Sequence, residues 1–474
     1  MDDAFRFRTV ADYANAYRSG ATTPDVIAAR LLDACANSER GEMPMRFFIA
    51  QDEADLRRQA RAATDRWARG CPLGLLDGVP VAVKDELDQL PYPTTVGTTF
   101  LGGAPAIADA HAVAQLRAAG ALLCGKTNMQ EIGLGATGIN PHHGAVRNPY
   151  DPERISGGSS SGSAAVVAAG LSPIALGADG GGSIRIPAGV CGVVGLKPTF
   201  GRVSEFGAIP LCWSLAHVGP LAASVQDAWL CLQLIAGADR RDPNTLRQPR
   251  LDDSASRGSI EGLRIGWCPR WNEHAAPAVL AEVRRAIDRL CASGARLIEL
   301  EFNTLPWVRP VQYITIACEM AAAQYENRRR HKNDYAADTR VLLELASQFS
   351  AVDFLRAQRV RSEVAQEFAK ALSKVDVLAT PTIASPAPAL RTDALSSGES
   401  DSDVLDQLTA FSFPANLTGQ PALSVPVGYV DELPVGLQLI GAHWAEATIV
   451  RVARSVELAV RVRPPRVLYD LLDR

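Results

Sequence analysis

Two glycine-rich turns that contain serine lie close together within residues 155–198. Residues 157–163 read GGSSSGS, and residues 179–183 read DGGGS. Consecutive backbone N–H groups in such turns form a concavity that binds anions. A serine hydroxyl at the end of one turn therefore predicts a nucleophile beside an oxyanion hole. The alternative is a pair of tight turns whose serines are merely solvated.

A serine nucleophile needs a base, and the sequence offers histidines and lysines for that role. None of the seven histidines falls inside a motif. A lysine can serve as the base where burial or neighbouring cations disfavour its charged form. Lys84 follows the apolar residues 81–83, whose predicted strand would deliver it to the edge of a sheet. The alternative for Lys84 is a simple ion pair with Asp85 or Glu86.

Three familiar motifs can be tested against the same stretch. Residues 158–162 match G-x-S-x-G, but that nucleophile elbow requires an apolar strand before it, and residues 147–154 read RNPYDPER. No S-x-x-K occurs in the chain, which excludes the catalytic arrangement of penicillin-binding proteins. The triple glycine of residues 180–182 lacks the following G-K-[ST], so it is not a P-loop.

Predicted helices and strands alternate along much of the chain. Apolar runs at residues 81–83, 121–126 and 173–177 predict strands, and residues 109–119 and 161–170 predict helices between them. This alternation is typical of α/β proteins. We therefore predict a single large α/β/α domain with a mixed, mainly parallel central sheet that is flanked by helices.

The composition excludes several functional classes. A net charge of −4 argues against a nucleic-acid ligand. The polar N-terminus and the lack of any apolar run of about 18 residues predict neither a secretory signal nor a membrane span. The nine cysteines are scattered without a C-x-x-C, which favours free thiols over a disulfide framework or a zinc site. We therefore expect a cytoplasmic protein.

The motifs taken together resemble those of the amidase signature family, and the resemblance extends over essentially the whole chain. In detail, GGSSSGSAA and DGGGS are similar to the branch that contains plant-type fatty-acid amide hydrolases. Gly180 stands where the family commonly has threonine, and Ser161 stands where it commonly has glycine. The motifs that carry the resemblance are VKD at 83–85, GGSS at 157–160, GGSIRIPA at 181–188, GLKPT at 195–199, NLTGQPA at 416–422 and PVGLQLIG at 434–441.

The resemblance implies a role for each residue of the two turns. Ser183 would be the nucleophile, Ser159 a bridging serine that follows a cis peptide bond after Gly158, and Lys84 the base that acts through Ser159. The oxyanion would be bound by backbone N–H groups of Gly180, Gly181, Gly182 and Ser183. Supporting positions would be Ser160, Asp179 and Arg185.

The resemblance also implies the activity: hydrolysis of an amide through an acyl-enzyme, with no metal and no cofactor. The substrate would be a small-molecule acyl amide, whether a fatty-acid amide, an aryl amide or a carbamate (urethane). The alternative is an amidotransferase A-type subunit that supplies ammonia to a tRNA-dependent partner. A homodimer is a further expectation.

The order of residues along the chain predicts where the domain and the pocket lie. Residues 1–70 are expected to form N-terminal helices that pack on the amidase catalytic domain of residues 71–474, in one structural unit. Met129, Ile132 and Gly133 follow the predicted strand that carries Lys126, so they are expected to line the substrate pocket. Helices within residues 305–355 are expected to form a lid.

Overall fold

The computed structural model describes residues 5–473, which form one central sheet with helices on both faces. The strands are β1 Phe48–Ala50, β2 Pro80–Lys84, β3 Leu122–Thr127, β4 Ile174–Ala178, β5 Val194–Lys197, β6 Val218–Ala222, β7 Arg264–Trp267, β8 Arg296–Glu299, β9 Val377–Pro381, β10 Ala422–Val430 and β11 Leu433–Gly441. The helices are α1 Val10–Ser19, α2 Pro24–Ser38, α3 Glu53–Ala68, α4 His111–Ala118, α5 Ser161–Ala168, α6 Arg185–Cys191, α7 Val225–Ile235, α8 Pro269–Asn272, α9 Pro277–Ala292, α10 Leu305–Ala323, α11 Tyr325–His331, α12 Ala337–Ala346, α13 Ala351–Leu372, α14 Ser402–Thr409, α15 Phe413–Leu417 and α16 Glu446–Glu457.

The sheet confirms the α/β class and the mixed pairing, but parallel pairs do not predominate. Its 11 strands follow the order β1-β3-β2-β4-β6-β5-β10-β11-β9-β7-β8. Strand β2 pairs in parallel with β3 and β4, and β7 pairs in parallel with β8 and β9. The remaining described pairs, at β1–β3 and from β4 through β6, β5, β10 and β11 to β9, are antiparallel. The expectation of a mainly parallel sheet is therefore wrong.

The reason lies in connections that contain no crossover helix. Strands β10 and β11 are joined directly through Asp431 and Glu432, whose φ angles are 49° and 66°. A connection this short can only reverse the chain, so the two strands must pair antiparallel. Strands β5 and β6 likewise follow one another without an intervening helix. Alternating helices and strands therefore predict parallel strands only where a helix separates the strands.

Strand β2 is the element that carries Lys84 into the interior. All five of its residues are buried, and it lies between β3 and β4, with Val83 opposite Leu176 and Lys84 opposite Thr127. Parallel strands covered on both faces are apolar along their whole length, which explains the sequence PVAV before the lysine. The lysine thus stands at the carboxyl end of a central strand.

The two serine turns are separated by one wholly buried helix. Every residue of α5 is buried, which suits its composition of alanine, valine, serine and glycine, because a helix apolar on all sides belongs in a core. Strand β4 then returns the chain to the second turn. After that turn, α6 occupies residues that the sequence pattern did not identify as helical, and β5 follows it.

The N-terminal segment is attached to the rest of the chain at several points. Strand β1 adds an antiparallel edge strand beside β3, so this segment contributes more than the predicted helices. The hydroxyl of Tyr17 donates to the Gly78 carbonyl at 2.7 Å. The N–H of Val10 donates to Asp227 Oδ1 at 3.2 Å. These contacts support our proposal that the chain is one structural unit. Among residues 5–473, no helix has both the length and the apolar character needed to cross a bilayer.

Replacement of Asp227 by asparagine is expected to stabilise the protein at neutral pH. Burial, with a smaller effect of Glu457, raises the pKa of Asp227 to about 7. Among the described residues, its Oδ2 has no hydrogen-bond partner. Between an unfolded pKa of about 4 and this value, the folded protein holds a proton that the unfolded chain has released, so stability falls as the pH rises. We expect Asp227→Asn to raise the free energy of unfolding by about 1–4 kcal/mol at pH 7.

Urea unfolding at about pH 4 and about pH 7 measures this effect. The two proteins should be nearly equal in stability at the lower pH, where the carboxyl group is protonated in the folded protein and about half protonated in the unfolded chain. A difference of the same size at both pH values would contradict the titration of Asp227 and indicate a change in packing instead.

Candidate active site

Lys84 and Ser159 meet in the interior although 75 residues separate them in the chain. Lys84 is 1% exposed, and its Nζ lies 2.9 Å from Ser159 Oγ and 3.4 Å from the Ala178 carbonyl. Glu86 Oε2 lies 2.6 Å from the same Nζ, but at an angle that makes this an ion contact rather than a directed hydrogen bond. Lys84 therefore has both of the partners that the sequence left as alternatives, while Asp85 lies 3.4 Å from Lys126 instead.

The turn around Ser159 depends on glycine and is tied to its surroundings through the backbone. Gly157 has a φ of 74°, and a Cβ at this position would lie 2.8 Å from Pro187 Cα, so only glycine fits. The peptide bond between Gly158 and Ser159 is cis. The Ser159 carbonyl accepts a hydrogen bond from the N–H of Gln130 at 3.2 Å. Ser159 itself is buried.

The second turn lies against the first. The N–H of Ser160 donates to the Ser183 carbonyl at 3.2 Å, and the Ser160 hydroxyl donates to the Ala178 carbonyl at 3.1 Å. Ser183 is 9% exposed and lies on the wall of a cavity, whereas Ser159 and Ser160 are almost fully covered. Of these three serines, only Ser183 therefore faces space that a small molecule could enter.

The backbone N–H groups of residues 180–183 differ in their availability. Within residues 5–473, the N–H groups of Gly180, Gly181 and Ser183 donate to no protein acceptor. The N–H of Gly182 donates to Asp179 Oδ1 at 2.7 Å, so it is already engaged. The structure thus offers three free donors at this loop rather than the four that were expected.

Asp179 and Arg185 form a buried, bidentate ion pair behind this loop. Arg185 Nε lies 3.0 Å from Asp179 Oδ2, and Arg185 Nη2 lies 3.0 Å from Oδ1. Burial opposes ionisation of Asp179, but the charge and hydrogen bonds of Arg185 outweigh it and hold the pKa of the carboxyl below its usual range. The ionised Asp179 then accepts hydrogen bonds from the N–H groups of Gly182 and Ile184, which holds the loop in shape.

Two buried groups near this ion pair were missed as members of the site. Burial, reinforced by the positive charge of Arg185, holds the pKa of Lys197 well below its ordinary value. Burial and the charge of Lys197 do the same for the pKa of His217, whose Nδ1 lies 3.3 Å from the Asp179 carbonyl. The GLKPT motif at residues 195–199 and the scarcity of lysine in the sequence were the signals that could have drawn attention to Lys197.

The cavity beside Ser183 has about 790 Å³ of empty space, including its open mouth, and is mostly apolar. Helices α10 and α12, which lie within residues 305–355, supply part of its wall. Gly133 lies on the wall, but the predicted pocket residues Met129 and Ile132 do not, because the chain turns after β3 and packs both side chains into the core. Its wall consists of Gly133, Leu134, Gly135, Ala136, Gly180, Gly181, Ser183, Ile186, Leu211, Tyr313, Ile316, Ala317, Met320, Asp338, Leu342, Leu405, Thr409 and Phe413.

The structure gives a reason why position 180 is glycine, which the sequence did not reveal. A Cβ at this position would lie 2.6 Å from Cys212 Sγ, which is too close for any side chain other than hydrogen. Cys212 is fully buried and fills the space beside the loop. The glycine and the cysteine therefore have to be considered as a pair.

Comparison with known proteins agrees with the motifs and the fold. The Amidase family model matches residues 33–450. A fatty acid amide hydrolase of Arabidopsis thaliana is 39% identical over 481 residues, covering 99% of this chain and 79% of the relative. The A-type subunit of the glutamyl-tRNA(Gln) amidotransferase of Koribacter versatilis is 38% identical, covering 89% of this chain and 92% of the relative.

Solved structures of amidases share the fold of this chain. The native peptide amidase from Stenotrophomonas maltophilia superposes with a TM-score of 0.82 and 29% identity, covering 96% of this chain and 98% of that one. The family match, the full-length relatives and the shared fold together show that this chain belongs to the amidase signature family and is an enzyme that hydrolyses amide bonds.

Proposed function

We propose that the protein is a serine amidase in which Ser183 is the nucleophile, Ser159 relays protons and Lys84 is the base. The observation that carries the proposal is the buried Lys84–Ser159 contact of 2.9 Å, next to a Ser183 that faces the cavity. The hydrogen bond between Ser160 and the Ser183 carbonyl holds the two turns side by side. A relay through two serines needs that proximity.

The proton movements balance over the two halves of the reaction. Neutral Lys84 accepts the hydroxyl proton of Ser159, which accepts that of Ser183 as its Oγ attacks the carbonyl carbon. Ser159 then gives one proton to the leaving nitrogen and is reprotonated by Lys84, so the C–N bond breaks and an acyl-enzyme with a free amine results. Water attacks the ester in a second cycle and releases the acid.

The free backbone donors would stabilise the charge that develops on the carbonyl oxygen. The N–H groups of Gly180, Gly181 and Ser183 are unpaired and border the cavity, whereas the N–H of Gly182 is engaged by Asp179. Donors that are oriented before the reaction need no rearrangement in the transition state, and each is worth about 10²–10³ in kcat. We assign the oxyanion hole to these three groups.

The wall of the cavity supports an apolar acyl or aryl group as the substrate side chain. Ile186, Leu211, Ile316, Met320 and Phe413 all lie on it. Burial of each CH₂ group in such a pocket contributes about 0.8 kcal/mol. The similarity to plant fatty acid amide hydrolases supports the same class of substrate. Carbamates present the same carbonyl with a leaving group, so urethane hydrolysis belongs to the same proposal.

An amidotransferase A-type subunit is the second candidate. It is supported by 38% identity to such subunits of glutamyl-tRNA(Gln) amidotransferases over about nine-tenths of the chain. A protein of this kind would have to bind a polar substrate such as glutamine. In the described cavity, Asp338 and Thr409 are the polar side chains apart from Ser183 and the hydroxyl of Tyr313, which favours the apolar-amide hydrolase.

A panel of amides with increasing acyl length, each also prepared as an ester and a carbamate, tests the proposed substrate class. We expect kcat/KM of the purified chain to rise with acyl length by about three- to fourfold per added CH₂ until the cavity is filled. Glutamine is the comparison substrate. Hydrolysis of glutamine, together with no gain from longer acyl groups, would favour the amidotransferase instead.

A further inference from the structure

The oxyanion loop, residues 179–183, contains three consecutive glycines, of which Asp179 engages the N–H of Gly182 alone. Glycine has access to more backbone conformations than any other residue, so Gly180, Gly181 and Gly182 together would sample many arrangements. An oxyanion hole needs donors that point in one fixed direction. In addition to the hydrogen bonds of Asp179, groups outside the loop must therefore hold its other peptide groups.

Side chains from distant elements hold this loop through its carbonyl groups. Gln312 Nε2, on α10, donates to the Gly180 carbonyl at 2.8 Å. The Ser412 hydroxyl donates to the Gly181 carbonyl at 2.6 Å. Both side chains are completely buried. These contacts fix the peptide groups that carry the donors.

The Gln312 contact sets the direction of one specific donor. In a trans peptide the C=O and the following N–H point in opposite directions, so the orientation of the Gly180 carbonyl determines that of the Gly181 N–H. Gln312 draws that carbonyl toward α10. The Gly181 N–H, which has no protein acceptor, is thereby directed away from Gln312.

The helix that carries Gln312 also forms the wall of the cavity. Tyr313, Ile316 and Met320 lie one, four and eight positions after Gln312, so the four residues occupy adjoining parts of one helix surface. An acyl group bound against these side chains therefore presses on the same helix that holds the Gly180 carbonyl. The position of α10 therefore affects both the binding of the acyl group and the geometry of the oxyanion loop.

The unused oxygen of Gln312 indicates that its amide is retained for a purpose other than stability. Gln312 Oε1 is buried and has no hydrogen-bond partner in the part of the chain that the structure describes. A buried polar atom without a partner destabilises the folded state, and an apolar side chain of similar length would avoid that cost. Within residues 5–473, the one hydrogen bond made by the amide is the bond to the Gly180 carbonyl of the oxyanion loop.

We propose that Gln312 is a positioning residue that couples occupancy of the acyl cavity to the geometry of the oxyanion hole. This inference rests on the proposed function, and it adds a dependence of kcat on the acyl group. A long acyl group that packs on α10 settles the helix in the position where Gln312 orients the Gly181 N–H. A short acyl group leaves that position less well defined.

The test is Gln312→Met, which keeps the length of the side chain and removes both amide atoms. The unmodified enzyme should have a higher kcat for a long-chain amide than for the acetyl amide with the same leaving group. In the variant, kcat for the long-chain amide should fall about 10–100-fold, with a smaller fall for the acetyl amide and KM little changed. The thermal midpoint should stay the same or rise, because the unpaired oxygen is gone.

Thr315→Val serves as the matched control, since Thr315 is buried on the same helix and contacts Val311 and Gln358 rather than the loop. It should leave the ratio of the two kcat values unchanged. Equal losses for both substrates in Gln312→Met, an effect confined to KM, or an unchanged kcat would each overturn the coupling. If Ser183→Ala retained activity, the proposed function would fail instead, whatever Gln312→Met showed.

Discussion

Ser183→Ala should abolish hydrolysis, with a loss in kcat on the order of 10⁵-fold or more. The physical reason is that no other hydroxyl of the two turns faces the cavity: Ser159 and Ser160 are buried, and Ser160 donates to the Ala178 carbonyl. Steady-state turnover of a long-chain aryl amide measures the loss. A fluorophosphonate probe followed by peptide mapping should locate the modification on Ser183.

Ser163→Ala is the matched control for this variant. Ser163 lies in the same stretch, but its hydroxyl donates to the Leu176 carbonyl and faces away from the cavity. It should retain activity with some loss of stability, because a buried hydrogen bond is removed. Comparable turnover by Ser183→Ala, or labelling of Ser160, would refute Ser183 as the nucleophile and restore the nucleophile-elbow interpretation.

Lys84→Ala should lower kcat by about 10²–10⁴-fold, the usual contribution of a general base. Lys84 Nζ is 2.9 Å from Ser159 Oγ, and within residues 5–473 no other lysine, arginine or histidine nitrogen makes a hydrogen bond to that oxygen. Lys84→Met, which fills the same space, should show a similar loss. Agreement between the two variants would separate loss of the base from collapse of a cavity.

Primary amines added to Lys84→Ala offer a direct check, because a small amine can occupy the space left by the lysine. Recovery of part of the activity, increasing with the concentration of neutral amine, is expected. In the unmodified enzyme kcat/KM should rise with pH, since only a neutral lysine accepts a proton; an optimum well below about pH 6 would be inconsistent with a lysine base. Loss of folded structure in both variants would be visible by circular dichroism.

Much of the architecture could be predicted from local patterns. The apolar run before Lys84 predicted β2, and residues 161–170 predicted the helix that the structure has as α5 at Ser161–Ala168. These elements are specified by the residues they contain. Whether neighbouring strands pair parallel or antiparallel is not specified by the residues within them, because it depends on whether the connection crosses over the sheet. The hairpin between β10 and β11 shows how one short turn decides it.

The substrate pocket shows more clearly the difference between what local patterns specify and what depends on packing between distant elements. Met129 and Ile132 were expected on its wall because they follow β3, but both pack into the core, and only Gly133 reaches the cavity. Most of the wall comes from segments far along the chain, such as Tyr313 on α10 and Leu342 on α12. Proximity along the chain is a poor guide where a pocket is assembled from distant elements.

The sequence by itself determined the α/β class, the amidase family and the candidate residues Lys84, Ser159 and Ser183, because short motifs specify turns and strand ends directly. Only the tertiary structure decided which groups surround them. It placed Glu86 beside Lys84, engaged the N–H of Gly182, matched Gly180 to Cys212 and brought Gln312 to the oxyanion loop. Each of these contacts depends on side-chain direction or on packing between elements, and no local pattern of residues encodes that.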